Sequence, residues 1–366
     1  MGKLWDDISL WSRAAWSVVQ PSYSYLILFV TARCNARCKT CFYWRRIQEA
    51  QAPDELSADE YERIAYSARG VLYLSITGGE PFLRSDLARI VRSFYRHSGI
   101  RFVNISTNCL PLDSVLRQTE EMLSENSRLR VKITLSIDDV EKRHDTIRGV
   151  PGNFEKCLRL HDGLVALREK FSNLTLEVGS TFCSFNEDTA TGLIDFVADR
   201  LRVDDHTFTY VRGDAKDPAA LHTSLRKYEQ AMAYLKKRRQ RGGAHGLAGI
   251  FGAVAKVMYD VIGETVREDR MVVPCTAGRK LITIDERGVV RPCEILWQEH
   301  GTRFDIADLR ENQYNLDAVR SSRQSAAVRR FIRDTNCHCS FECATLCNIV
   351  YTPKIYPRVL KQILKR

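Results

Sequence analysis

The chain has 366 residues, enough for one large domain or two ordinary ones, and its 44% hydrophobic and 27% charged residues are those of a globular protein. It contains no run of 18 apolar residues, and its first twenty residues have neither a continuous apolar core nor a small-residue cleavage site, so a cytoplasmic protein is expected. A net charge of +10 suggests an anionic partner, and twelve cysteines in a reducing compartment argue for metal ligation rather than disulfides.

Residues 1–23 read as an amphipathic helix. Leu4, Ile8, Trp11, Ala15 and Val19 share one face, and three of the five tryptophans lie in the first sixteen residues. Two readings stay open. One is a helix packed across the main domain. The other is an interfacial helix at the inner membrane surface, beside the basic C-terminal tail.

From residue 24 to 215 strand-like and helix-like segments alternate. Strands are predicted at 23–30, 71–77, 101–107, 130–138, 174–183 and 206–211, each rich in β-branched and aromatic residues. Helices are predicted at 57–68, 85–97, 112–123, 153–170 and 186–201, the first opened by a Ser57/Glu60 capping box. This alternation predicts βα units around a parallel sheet buried on both faces, with functional residues at the C-terminal strand ends.

Residues 216–270 read as a helical linker region, broken by the glycine-rich stretch 242–249. The basic run at 236–241 is expected to be a solvated helix face or end. Residues 271–350 hold shorter segments, with a β-hairpin around Glu286–Gly288 and a helix over 322–334. Residues 351–366 form a basic tail.

Nine cysteines cluster. Cys34, Cys38 and Cys41 follow the first strand in a Cys-x3-Cys-x2-Cys pattern, with no fourth thiol or histidine nearby. Cys275 and Cys293 flank the hairpin, and Cys337, Cys339, Cys343 and Cys347 close the set. Cys109, Cys157 and Cys183 stand alone and read as small buried hydrophobes. Structural zinc, which wants four such ligands, is the alternative for the clustered thiols.

The Cys34/Cys38/Cys41 spacing resembles the signature of the radical S-adenosylmethionine (SAM) superfamily. The resemblance implies a partial (β/α)6 TIM-like barrel and a [4Fe–4S] cluster on three thiols, with SAM chelating the open fourth iron. An electron from the cluster then cleaves SAM to methionine and a 5′-deoxyadenosyl radical. Thiolate is the expected ligand of such clusters. The aromatic residue often found before the third cysteine is here Thr40; Phe42 and Tyr43 follow, and Tyr43 is the expected adenine contact. "TGGEP" (Thr77–Pro81) matches the turn that binds the SAM amino group, through Gly78, Gly79 and Glu80. Further SAM contacts are expected from Ser106 and Asn108, from Ser136 and Asp138, and from Arg148 in "HDTIRG".

Cys275-x12-Gly288-x4-Cys293 is similar to the start of the SPASM or twitch auxiliary-cluster extension, so a small auxiliary-cluster domain is expected. The last four cysteines depart from the usual spacing. One auxiliary [4Fe–4S] cluster on Cys275, Cys293, Cys339 and Cys343 is expected, with Cys337 and Cys347 in reserve. A second register, with Asp334 in the place of a cysteine, would add a second cluster. These resemblances imply an enzyme that abstracts hydrogen from a small-molecule, sugar or lipid-linked substrate, with flavodoxin or ferredoxin as reducing partner and no nucleic acid. The alternatives are a SPASM-type peptide maturase and, remotely, a zinc-bearing nucleic-acid-binding protein. The sequence assigns no catalytic acid or base.

Overall fold

The computed structural model describes residues 17, 20, 22–49, 54–239 and 247–364. The N-terminal amphipathic pattern (Leu4, Ile8, Trp11, Ala15 and Val19) lies outside them, as does most of the glycine-rich break at 242–249.

Six strands run parallel in sequence order: β1 (Tyr25–Thr31), β2 (Tyr73–Gly78), β3 (Phe102–Thr107), β4 (Arg130–Ser136), β5 (Leu174–Phe182) and β6 (Asp205–Tyr210). Parallel neighbours need crossovers, and helices supply them. After β1 come α1 (Trp44–Glu49) and α2 (Ala58–Ser67). α3 (Leu87–His97) follows β2, and α4 (Leu112–Glu125) follows β3. α5 (Glu141–Arg148) and α6 (Asn153–Lys170) follow β4, and α7 (Ala190–Arg200) follows β5. The array is open at β6, which makes it a partial (β/α)6 barrel. Two helices follow, α8 (Leu225–Arg239) and α9 (Leu247–Glu268).

The C-terminal part extends the same sheet. β7 (Leu281–Ile284) pairs parallel with β1, and β8 (Val289–Arg291) and β9 (Ala307–Asp308) continue it antiparallel, so the hairpin read near Gly288 is the β7–β8 turn. Then come α10 (Glu294–His300), α11 (Leu316–Ser321), α12 (Arg323–Asp334), α13 (Glu342–Val350) and α14 (Tyr356–Leu364).

The expectation of a sheet buried on both faces holds for β1, every residue of which is buried, and is relaxed at β3. On β3 the outward residues Val103, Ile105 and Thr107 are buried under helices, whereas the inward Phe102, Asn104 and Ser106 are half-buried. Register places Ser75, Asn104 and Lys132 in one inward row, and Thr134 beside Glu177. Glu177 accepts bonds there from Lys132 (2.6 Å), Thr207 (3.1 Å) and Thr134 (3.3 Å). A barrel interior need not be sealed when its polar groups satisfy one another. The basic run also has partners. Lys236 pairs with Asp260, Arg238 with Asp195 and Asp199, and Arg239 with Asp205.

The capping box at α2 is present, and Glu60 does more than cap. It accepts the Ser57 amide (2.8 Å), Arg310 Nε (2.7 Å) and the Tyr314 hydroxyl (2.8 Å), tying α2 to the C-terminal part. Burial alone would raise its carboxyl, but these donors hold it at about 2, below the ordinary 4.5. A depressed folded pKa adds stability above the ordinary value that is lost as pH falls through the folded one. Glu60→Gln should therefore lower unfolding free energy at neutral pH by about 1–2 kcal/mol, discounted for partial exposure. In urea titrations the variant should also lose part of the wild-type decline between those two pKa values. Superimposable stability–pH curves would contradict this role.

Candidate functional site

The site is built where β1 ends. The β1–β2 register slips between Phe29 and Thr31, and the chain then turns into the loop that carries Cys34, Cys38 and Cys41. Glu55 anchors the loop's entry by accepting Thr31 Oγ1 (2.5 Å) and the Ala32 amide (3.1 Å). Buried Arg84 donates to the Val30 and Leu56 carbonyls at 3.0 and 2.9 Å.

The Gly78–Gly79–Glu80 turn presses on this loop. Gly79 and Glu80 amides donate to the Thr31 and Arg33 carbonyls (2.7 and 2.8 Å). A Cβ on Gly79 would lie 2.1 Å from the Arg33 oxygen, and one on Gly78 2.4 Å from the Thr31 oxygen. Gly78 also has φ +124°, which an L side chain rarely adopts. The glycines thus admit the cysteine loop's own backbone. Glu80 fixes the turn by accepting the Phe82 and Asn108 amides (3.2 and 2.6 Å). Burial pushes its carboxyl up to about 7, against the pull of those two donors.

On its other side the loop is bound to the end of α5. The Arg37 and Lys39 amides donate to the Arg148 and Ile147 carbonyls (3.2 and 2.8 Å). Farther along, the Lys216 and Asp217 amides reach the Cys41 and Lys39 carbonyls (3.0 and 2.8 Å). This double clamp brings the three thiols together, beside the Arg148 guanidinium. Burial raises all three thiols, Cys41 to about 12, and Arg148 opposes that rise. Cys34 Sγ receives the Ala36 amide (3.5 Å) and Asn108 Nδ2 (3.7 Å).

The other expected contacts divide. Asn108, Ser106 and Ser136 stand at or just past the ends of β3 and β4, as the sequence placed them. Asp138 is buried, and its carboxylate accepts the Thr181 amide (2.7 Å) and Arg148 Nη1 (3.2 Å), so it positions Arg148 and has little left to offer a ligand. Arg148 Nε is buried without a hydrogen-bond partner. The Tyr43 side chain is engaged elsewhere. Its hydroxyl bonds Glu286, and its ring packs 4.8 Å from Phe29 and 5.8 Å from Trp297, in the seam between β1 and the hairpin. Only the Tyr43 backbone amide reaches the Cys41 thiol.

The C-terminal cysteines form a second group, with a different membership from the one expected. Cys275, Cys293, Cys337 and Cys339 line one cavity with Met271 and His338. Cys343 does not join them: it meets the Tyr25 hydroxyl and the Arg212–Glu342 pair. Cys347 bonds Thr276 and lies beside Cys275. The cause is the rotation of α13, fixed by Asn348, which accepts the Thr276 amide and hydroxyl (2.7 and 2.8 Å). Asp334 is exposed and paired with Arg333 at 2.7 Å.

Sequence reasoning missed a half-buried arginine beside the second group. Arg212 donates to Glu294 (2.6 and 2.9 Å) and Glu342 (2.7 Å), and its guanidinium lies 4.8 Å from the Phe341 ring and 5.9 Å from Phe42. Burial raises both carboxyls, Glu342 to about 7. "YVRGD" at a strand end was the available signal, but its partners lie 82 and 130 residues away. The lone cysteines are buried, and Cys109 and Cys157 hydrogen-bond each other.

The donor chemistry fits iron–sulfur clusters better than zinc. A tetrahedral zinc draws its sulfurs to within about 3.8 Å of one another. Among the described residues, no three His, Cys, Asp or Glu side chains converge on a single-ion site, and the C-terminal thiols ring a cavity instead. N–H donors on Cys34 Sγ and the half-buried Arg148 cation beside the loop suit a thiolate-bound cluster.

Comparisons with known proteins agree with this geometry. Residues 28–176 match the model of the radical SAM superfamily. A GTP 3′,8-cyclase of Lactiplantibacillus plantarum is 33% identical over 159 residues, which are 43% of this chain and 45% of that protein. The chain therefore spans less than half the length of such relatives. Among solved structures, Streptococcus suis SuiB bound to precursor peptide SuiA aligns with a TM-score of 0.63 at 17% identity, over 88% of this chain and 70% of that one. Native anSMEcpe with bound AdoMet and Cp18Cys peptide aligns at 0.62 and 13%, over 94% of this chain and 100% of that one. At these identities the likeness is one of fold, and it extends through the C-terminal part.

Proposed function

We propose, from the match of residues 28–176 to the radical SAM superfamily model, that the chain is a SAM-dependent radical enzyme with an auxiliary iron–sulfur cluster, acting on a peptide. The observation that carries the first part is the clamped loop: three thiols held between the glycine turn and Arg148, at the C-terminal rim of a parallel barrel. Cys34, Cys38 and Cys41 would hold the first cluster. When bound, cluster and SAM supply the one-electron chemistry that makes a hydrogen-abstracting agent.

The chain's own residues would do the rest. Asn108 Nδ2 and the Ala36 amide donate to Cys34 Sγ, which stabilises a thiolate there. Arg148, held by Asp138, would set its positive charge beside an anionic group such as the SAM carboxylate. Gly78, Gly79 and Glu80 shape the turn beside it, and Ser106 and Ser136 present hydroxyls on the inward face. Cys275, Cys293, Cys337 and Cys339 would hold the auxiliary cluster, with Arg212 and its two carboxylates standing next to that group. A flavodoxin or ferredoxin would serve as electron donor.

A peptide is better supported than the small-molecule, sugar or lipid-linked substrate expected from the sequence. The folds that match nearly the whole chain are of proteins solved with peptides, whereas the nucleotide cyclases match only its first part. The test is anaerobic SAM cleavage in the presence of short-peptide pools, with GTP as comparison. Peptide-dependent acceleration of 5′-deoxyadenosine formation, with none from GTP, is expected. Acceleration by GTP alone would overturn the peptide reading and leave the radical one standing.

A further inference from the structure

Large apolar side chains are seldom exposed on this surface, and those that are gather at one corner. Val350 (41%), Tyr356 (38%), Leu360 (56%) and Leu364 (82%) make up four of the six among the described residues. The last three recur every fourth position along α14 and so share a face. It is not the core-facing side. Ile355 and Val359 are buried, and α14 already packs against α9, where Arg358 pairs with Glu264 at 2.6 Å. A surface helix normally spends its outer face on polar residues; α14 carries a second apolar one.

Charge accompanies the stripe. Lys354 and Lys361 are exposed, and neither is ion-paired among the described residues. From Pro353 onward the sequence has five basic residues and no acid. The N-terminal segment enters at the same corner: Ser17 Oγ hydrogen-bonds the Tyr351 hydroxyl (2.9 Å), and Lys280 Nζ donates to the Ser17 carbonyl (2.5 Å). No helix among the described residues is long and apolar enough to cross a membrane, so contact here would be peripheral.

We propose that this corner docks on an anionic lipid bilayer, with Tyr356, Leu360 and Leu364 at the headgroup–acyl boundary and Lys354 and Lys361 on the lipid phosphates. Apolar insertion beside unpaired ammonium groups is the combination that holds interfacial helices. A second copy of the chain fits less well, because two such faces would bring like charges together. The proposal does not rest on the radical SAM reading.

Full-length reconstituted protein is sedimented with vesicles of phosphatidylcholine, alone or mixed with phosphatidylglycerol. Wild type should pellet with the mixed vesicles, less so in high salt. Leu360→Ser/Leu364→Ser should weaken partitioning about 30-fold or more. Leu221→Ser, at an exposed leucine elsewhere, should behave as wild type. SAM cleavage in lipid-free buffer should be the same in all three, which separates this test from the radical chemistry. Equal pelleting of the double variant and wild type overturns the proposal, as does wild type that ignores phosphatidylglycerol. A lipid-free wild-type dimer that the double variant dissolves would assign the stripe to a second copy instead.

Discussion

Replacing any one of Cys34, Cys38 or Cys41 by alanine will reduce 5′-deoxyadenosine formation to the level of a protein-free control. Each would supply one of three thiolates, and two do not hold a four-iron cluster with one corner left for SAM. The loss should be chemical and not structural. The loop is fixed by backbone bonds from Gly79, Glu80, Arg37 and Lys39, and an alanine keeps all of them. Far-UV spectra and urea midpoints of the apo-proteins should therefore match wild type. Cleavage that survives in a variant shown to contain no iron would sink the assignment.

The second large effect separates Cys337 from Cys343. With both clusters in place, wild type should carry about eight irons, as expected of two four-iron cubes. Cys337→Ala should fall to about four, because Cys337 lines the cavity with Cys275, Cys293 and Cys339. Cys343→Ala should stay near eight, because that thiol faces Tyr25 and Arg212. The Cys337 variant should still cleave SAM without turning over substrate, since the first site would be intact. The reverse pattern of iron loss would restore Cys343 as a ligand. Zinc in the place of iron would overturn the account of the C-terminal group alone.

What the sequence revealed, and what it hid, follows from the range of each interaction. The six strands, the Ser57/Glu60 box and the three-cysteine loop are local patterns, and each lies where its residues predicted. The polar ends of β3 and β4 were legible for the same reason. Partners distant in sequence were not. Glu55 as the loop's anchor, Asp138 as the support of Arg148, and Glu342 across from Arg212 each depend on which segments fold together. Tyr43 shows the limit from the other side. Its position after the third cysteine suggested a ligand contact, but a buried phenol needs a partner, and the hairpin's Glu286 supplies one. Spacing likewise could not choose among four late cysteines, because the rotation of α13 depends on Asn348 meeting Thr276.

The central claim is that Cys34, Cys38 and Cys41 hold a cluster with one iron open to SAM. It is tested most directly by electron paramagnetic resonance on reduced, anaerobically reconstituted protein, recorded with and without SAM. Cys337→Ala isolates the first site, and the Cys34/Cys38/Cys41→Ala triple variant isolates the second. The account predicts that SAM shifts the signal of the first and leaves that of the second unchanged. A signal from the first site that is the same with and without SAM, in protein shown to contain four irons there, would contradict it.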